Sequence, residues 1–101
     1  MQQNEQLPET YQIESHITDH EQVVDAKVIT IPHPEKGELI VAWVIANDST
    51  LTEETIVKYC DDSNDVSTPN YVLFTDEFPT TPSGKIQKIR LKEKALELIN
   101  E

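Results

Sequence analysis

Apolar residues recur along this chain at spacings that change from helix-like to strand-like and back. Within residues 8–19 the apolar members are Tyr11, Ile13 and Ile17, and the i, i+4 pair Ile13 and Ile17 predicts a helix packed on one side. From Val23 onward the period shortens. Residues 24–31 alternate apolar with polar in their second half, which predicts a strand with Val24, Ala26 and Val28 toward a core. Asp25, Lys27 and Ile29 then fall on its other side. Pro32, Pro34 and Gly37 give the next segment turn chemistry throughout. After it, Leu39-Ile40-Val41-Ala42-Trp43-Val44-Ile45-Ala46 is a continuous apolar run rich in β-branched residues. Its length suits a buried strand at about 38–46 better than a helix. Two strands joined across a short Gly-containing loop read as an antiparallel hairpin.

Thr52 ahead of Glu53 and Glu54 is the pattern of a helix N-cap with acids in the first turn. A second helix is therefore expected from there to about Asp62, burying Ile56, Val57 and Cys60. Residues 63–70 form a polar loop broken by Pro69, and Tyr71-Val72-Leu73-Phe74 reads as a short strand. Leu91, Ala95, Leu98 and Ile99, at i, i+4, i+7 and i+8, predict a last helix over about 88–100. The order α-β-β-α-β-α predicts a small α+β domain, with a short sheet built on the hairpin and packed by about three helices. Residues 1–7 are polar and read as a disordered N-terminal segment, which leaves 8–101 as the folded domain.

Charge changes this picture more than composition does. The chain has 101 residues, enough for one small core, and 37% of them are hydrophobic. Its net charge of −11 argues against nucleic acid as a partner, since affinity for a polyanion comes mainly from Lys and Arg neutralising phosphates. No stretch approaches the roughly 20 apolar residues of a membrane span. Residues 1–6 have neither a basic start nor an apolar run, so they do not read as a secretion signal. Cys60 is the sole cysteine, which excludes an internal disulfide and makes a cytoplasmic setting the expectation. The charge is uneven. Residues 1–27 hold six acids and one base, and residues 48–77 hold eight acids and one base. The last 17 residues instead carry five bases, Lys85, Lys88, Arg90, Lys92 and Lys94, against three acids. An acidic body with one basic end suits an anion smaller than a nucleic acid.

The candidate chemistry narrows quickly. His16 and His20 are four apart on the first expected helix, a spacing that can hold a metal, but no H-E-x-x-H motif accompanies them and no metal site is assigned. His33 lies in a turn with no evident partner. Neither a G-x-S-x-G element nor a cysteine–histidine signature supports a hydrolase. Cys60, near Asp61 and Asp62, has its thiolate disfavoured. Asp48-Ser49 ahead of a helix admits an acyl carrier protein bearing phosphopantetheine on Ser49, but such carriers are all-helical and this chain has two strong strand runs. The segment Pro79-Thr80-Thr81-Pro82-Ser83-Gly84-Lys85 stands out. It ends in Gly-Lys like a phosphate-binding P-loop, yet Pro79 occupies the place of that motif's first glycine. What remains is a loop stiffened by two prolines whose Gly84 allows a sharp turn and presents Lys85 at the tip. An ordinary turn with a solvated lysine is the alternative.

This loop, continued by Ile86-Gln87-Lys88, resembles the P-x-x-x-x-G-K motif of the adenylate-forming enzyme superfamily, which includes acyl- and aryl-CoA synthetases, peptide-synthetase adenylation domains and firefly luciferase. The form TPSGKIQK looks most like fatty-acyl and related acyl-CoA synthetases. Ile13-Glu14, His20 and Val23 to Val28 resemble the family's helix and following strand, and Ile31 to Glu38 is similar to its xPDPxxGE turn with His33 in place of the aspartate. Leu51-Thr52-Glu53-Glu54 is similar to the LTEEEL helix start, and Tyr71 to Pro79 to VxFVDELP. Residues 64–69 lack the lysine of the family's YKxP stretch. The resemblance covers roughly residues 9–96 and only the small C-terminal domain. It implies a lid that closes over a large N-terminal adenylating domain, in cis or in trans, where ATP, Mg²⁺ and the acid are bound. It further implies that Lys85 is the catalytic lysine, with Pro79, Thr80, Thr81, Pro82, Ser83 and Gly84 positioning it against the acyl-adenylate. By the same resemblance, the lid rotates after adenylation to build the tunnel for CoA, and this domain alone binds no cofactor and is inactive. A non-catalytic interaction module that retains the lid fold is the alternative.

Overall fold

The computed structural model describes residues 9–63 and 66–99; the disordered segment expected over residues 1–7 lies outside the described residues. Its elements are α1 (Glu9–Thr18), β1 (Val23–His33), β2 (Gly37–Ala46), α2 (Glu53–Ser63), β3 (Tyr71–Phe74) and α3 (Lys88–Ile99). This is the α+β order read from the sequence. β1 and β2 pair antiparallel from His33 opposite Gly37 to Val23 opposite Ala46. β3 runs parallel to β2, which places β2 in the centre of a three-stranded sheet. A parallel neighbour needs a crossover, and α2 supplies it between β2 and β3.

The sheet is covered on both faces. On one, Ile13 and Ile17 of α1 and Ile56 and Cys60 of α2 pack on Ala26, Val28, Ala42, Val44 and Val72. On the other, Leu91 and Ala95 of α3 pack with Phe78 on Ile29, Ile31, Leu39, Val41 and Trp43. A strand buried on both faces cannot alternate with polar residues, which is why β2 is a continuous apolar run. Each fully buried aliphatic side chain in these layers contributes on the order of 1.5–3 kcal/mol relative to exposure. Trp43 adds a directed contact: its indole N–H donates to the Leu91 carbonyl at 3.1 Å and ties β2 to α3.

Particular sidedness expectations change. Val24 is 57% exposed rather than in the core, because the register slips between Val23 and Asp25 and leaves it as the extra residue of a β-bulge. Ile29 lies on the side of β1 opposite Ala26 and Val28, as the alternation predicts, and that side proves to be buried as well, beneath α3. Tyr11 and Leu98 fall on the solvent side of α1 and α3. Thr52 does cap α2, its hydroxyl accepting from the Thr55 N–H at 3.3 Å. Of the three residues expected inside α2, Ile56 and Cys60 are fully buried and Val57 is half-buried.

Candidate functional site

Residues 79–87 connect the end of the sheet to α3, and their backbone bonds define a small hairpin. Gln87 N–H donates to the Pro79 carbonyl at 2.8 Å, Thr80 bridges Ile86 antiparallel, and Thr81 N–H donates to the Lys85 carbonyl at 2.8 Å. The tip closes by Gly84 N–H to the Thr81 carbonyl at 2.8 Å. Pro82 therefore occupies the first central position of the turn, where its fixed φ is an advantage. Gly84 follows with φ +92°, a left-handed conformation that a side chain rarely adopts. A type I turn completed by a left-handed glycine is a common three-residue hairpin loop. The Thr81 hydroxyl accepts from the Lys85 N–H at 3.1 Å and bonds the Ser83 hydroxyl at 3.0 Å.

The hairpin is anchored at its base and bare at its tip. Phe78 is buried in the α3-side core and Ile86 packs against that cluster, whereas Pro82, Ser83, Gly84 and Lys85 are exposed. Lys85 makes no ion pair or side-chain hydrogen bond among the described residues, so its ammonium stands free at the end of a doubly laced support. The structure thus brings the whole expected loop, Pro79 to Lys85, into one element. Lys88, counted in the same basic cluster, is withdrawn from it. Its ammonium donates to a Glu14 carboxylate oxygen at 2.7 Å and to the Val28 carbonyl at 3.3 Å, and lies 4.8 Å from the Tyr11 ring centroid.

Sequence reasoning missed Glu14 as a partner, although a signal was present. At helical spacing Glu14 shares the face of Ile13 and Ile17, so an acid there is directed inward. It is the one buried charged residue among the described ones. The histidines also find roles. His16 stacks on Tyr59 with ring centroids 4.5 Å apart, and His20 meets the same ring edge-on at 4.9 Å. His33 Nδ1 accepts from the N–H groups of Glu35 and Lys36 at 3.1 and 3.0 Å. Burial, not the neighbouring aspartates, pushes the Cys60 thiol up to about 11. Asp48 accepts from the N–H and hydroxyl of Thr50, which lowers its carboxyl below the ordinary range and makes the segment around Ser49 a turn between β2 and α2. A sheet-centred fold removes the carrier-protein reading of Ser49.

A profile of the AMP-binding enzyme C-terminal domain matches residues 12–85, so that its last matched position is Lys85. The chain belongs to this family. It is the C-terminal domain type of adenylate-forming acyl-CoA synthetases. A Bacillus subtilis protein named as an acyl-CoA synthetase is 36% identical over 91 residues, covering 88% of this chain and 17% of the relative. A peroxisomal trans-cinnamate:CoA ligase of Petunia hybrida is 34% identical, covering 83% of this chain and 15% of the relative. Among solved structures, the fatty acyl CoA synthetase of Mycobacterium tuberculosis superposes with a TM-score of 0.72 at 35% identity, covering 81% of this chain and 16% of that one. ATP-bound MatB of Rhodopseudomonas palustris gives 0.80 at 30% identity, covering 88% and 18%. The chain therefore spans less than a fifth of each of these relatives. No helix among the described residues of this domain is long and apolar enough to cross a membrane.

Proposed function

We propose that this chain is the lid of an ATP-dependent acid–thiol ligase of the acyl-CoA synthetase type, supplying Lys85 to an active site in a large adenylating domain, in cis or in trans. The observation that carries the reading is the unpartnered Lys85 ammonium on a hairpin closed at successive rungs, at the final matched position of the family. In the adenylation step a carboxylate oxygen of the acid bonds to the α-phosphorus of ATP as the bond from that phosphorus to the bridging oxygen breaks, and pyrophosphate leaves. Charge accumulates on the phosphoryl oxygens during this exchange. An ammonium carried on a support that limits its freedom, and desolvated on entering the site, stabilises that charge more than it stabilises the separated reactants. Thr81, Pro82 and Gly84 hold the tip so that little chain entropy is lost when it enters the site.

Among the described residues no group of three or more His, Cys, Asp or Glu side chains converges. ATP, Mg²⁺ and the acid belong to the large domain. Withdrawal of the hairpin after adenylation then opens the acyl-adenylate to the CoA thiol. The lone buried cysteine fits a cytoplasmic setting.

The test is complementation with a large adenylating domain, read as acid-dependent exchange of labelled pyrophosphate into ATP. Lys85→Ala should lower exchange on the order of 10²–10³-fold, the usual loss for one electrostatic contact to a transition state. Equal exchange by Lys85→Ala and the wild type would remove Lys85 from the chemistry. Binding without any exchange would instead favour an interaction module that keeps the lid fold.

A further inference from the structure

β1 is an edge strand, and an edge leaves backbone groups without a neighbour. At Val28 those groups are taken up by side chains from two helices on opposite faces of the sheet. Glu14 of α1 accepts from the Val28 N–H at 2.8 Å, and Lys88, the first residue of α3, donates to the Val28 carbonyl at 3.3 Å. The two side chains meet each other at 2.7 Å, and Lys27 Nζ approaches the same carboxylate at 3.9 Å. Tyr11 closes the arrangement beneath the Lys88 ammonium. A carboxylate this buried is held in place by its partners, since losing one strands a desolvated charge.

Lys88 is three residues from Lys85, and three residues reach at most about 10 Å. The return arm of the hairpin is short, and two attachments fix it. One is the Gln87 N–H to Pro79 carbonyl bond within the loop. The other is the Lys88 ammonium, clamped to α1 and β1. We infer that Glu14 and Lys88 form a strut that positions the Lys85 hairpin for adenylation, acting through the start of α3 without touching substrate. This inference rests on the reading of Lys85 as the adenylation lysine.

The experiment uses the ¹⁵N-labelled chain and compares backbone order at Gly84 and Lys85 with that at Gly37, whose turn makes no bond to Glu14 or Lys88. Lys88→Met, which keeps a stem and removes the charge, should lower order at Gly84 and Lys85 and leave Gly37 unchanged, and Lys88→Arg should restore it. Should Lys88→Met not fold, Glu14→Gln carries the same comparison, because its amide oxygen still accepts from Val28. In complementation, Lys88→Met should lower adenylation kcat on the order of 10–10²-fold with the KM for ATP within about twofold, as displacement of a reacting group by about 1 Å does. A folded variant whose tip order and kcat equal those of the wild type would overturn the strut, as would loosening shared equally by Gly37. If the wild type supports no adenylation, the Lys85 reading fails, and the backbone-order comparison still decides whether Glu14 and Lys88 hold the hairpin.

Discussion

His33 performs with an imidazole nitrogen what an aspartate carboxylate does in a turn, accepting two N–H groups that would otherwise point to water. Cys60 shows the complementary case, a polar atom kept without charge. Fully buried, its thiol is raised from 9.0 to about 11 by desolvation. We expect thiol reagents at neutral pH to leave it unmodified in the folded chain and to label it on unfolding, a contrast read by mass spectrometry. The alkaline sign follows from proton counting. Between the two pKa values the folded state retains the proton that the unfolded state releases, so stability falls as pH rises through that window. Denaturation midpoints at pH 8.5 and 10.5 should diverge more for the wild type than for Cys60→Ala, by up to about 1.4 kcal/mol per pH unit.

Two glycines mark two hairpins, and they separate conformation from function at the level of the element. Gly37 has φ +84° and Gly84 φ +92°, and a Cβ at either meets nothing within 4 Å. The cost of alanine is then backbone strain alone, roughly 1–2 kcal/mol at each site. Both variants should show similar losses in chemical denaturation. Only Gly84→Ala should also lower pyrophosphate exchange in complementation, because relief of the strain displaces Lys85; equal exchange by the two variants would show that tip geometry is not limiting. The same hairpin explains why its lysine was legible and its support was not. P-x-x-x-x-G-K is local, whereas the contact between Glu14 and Lys88 joins positions 74 residues apart.

For the whole molecule, one sheet serves two cores, and β2 belongs to both. Trp43 reports on the α3 layer, while α1 and α2 occupy the opposite one. Because β2 couples them, unfolding followed by Trp43 fluorescence should coincide with unfolding followed by far-ultraviolet circular dichroism. Separate midpoints would mean that the α3 layer, and with it the Lys85 hairpin, melts independently. On the proposed role of Lys85, cooperativity would be an advantage, since a rigid body carries its tip to a defined place.

The sequence by itself determined the elements, their order, the hairpin and the lysine loop, because periodicity, turn residues and caps act over a few neighbouring positions. It placed Ala26, Val28, Ile13, Ile17, Ile56, Cys60, Leu91 and Ala95 on their core sides but left open where the strand register breaks and that both faces of the sheet are covered. Val24 fell opposite to expectation because a bulge shifts it, and the side of β1 that carries Ile29 became a second core because a helix distant in sequence covers it. The parallel placement of β3, the burial of Glu14 and its capture of Lys88 also required the tertiary structure. Each depends on packing between segments far apart in the chain, where the partner, and not the local pattern, sets whether a group is buried, paired or free.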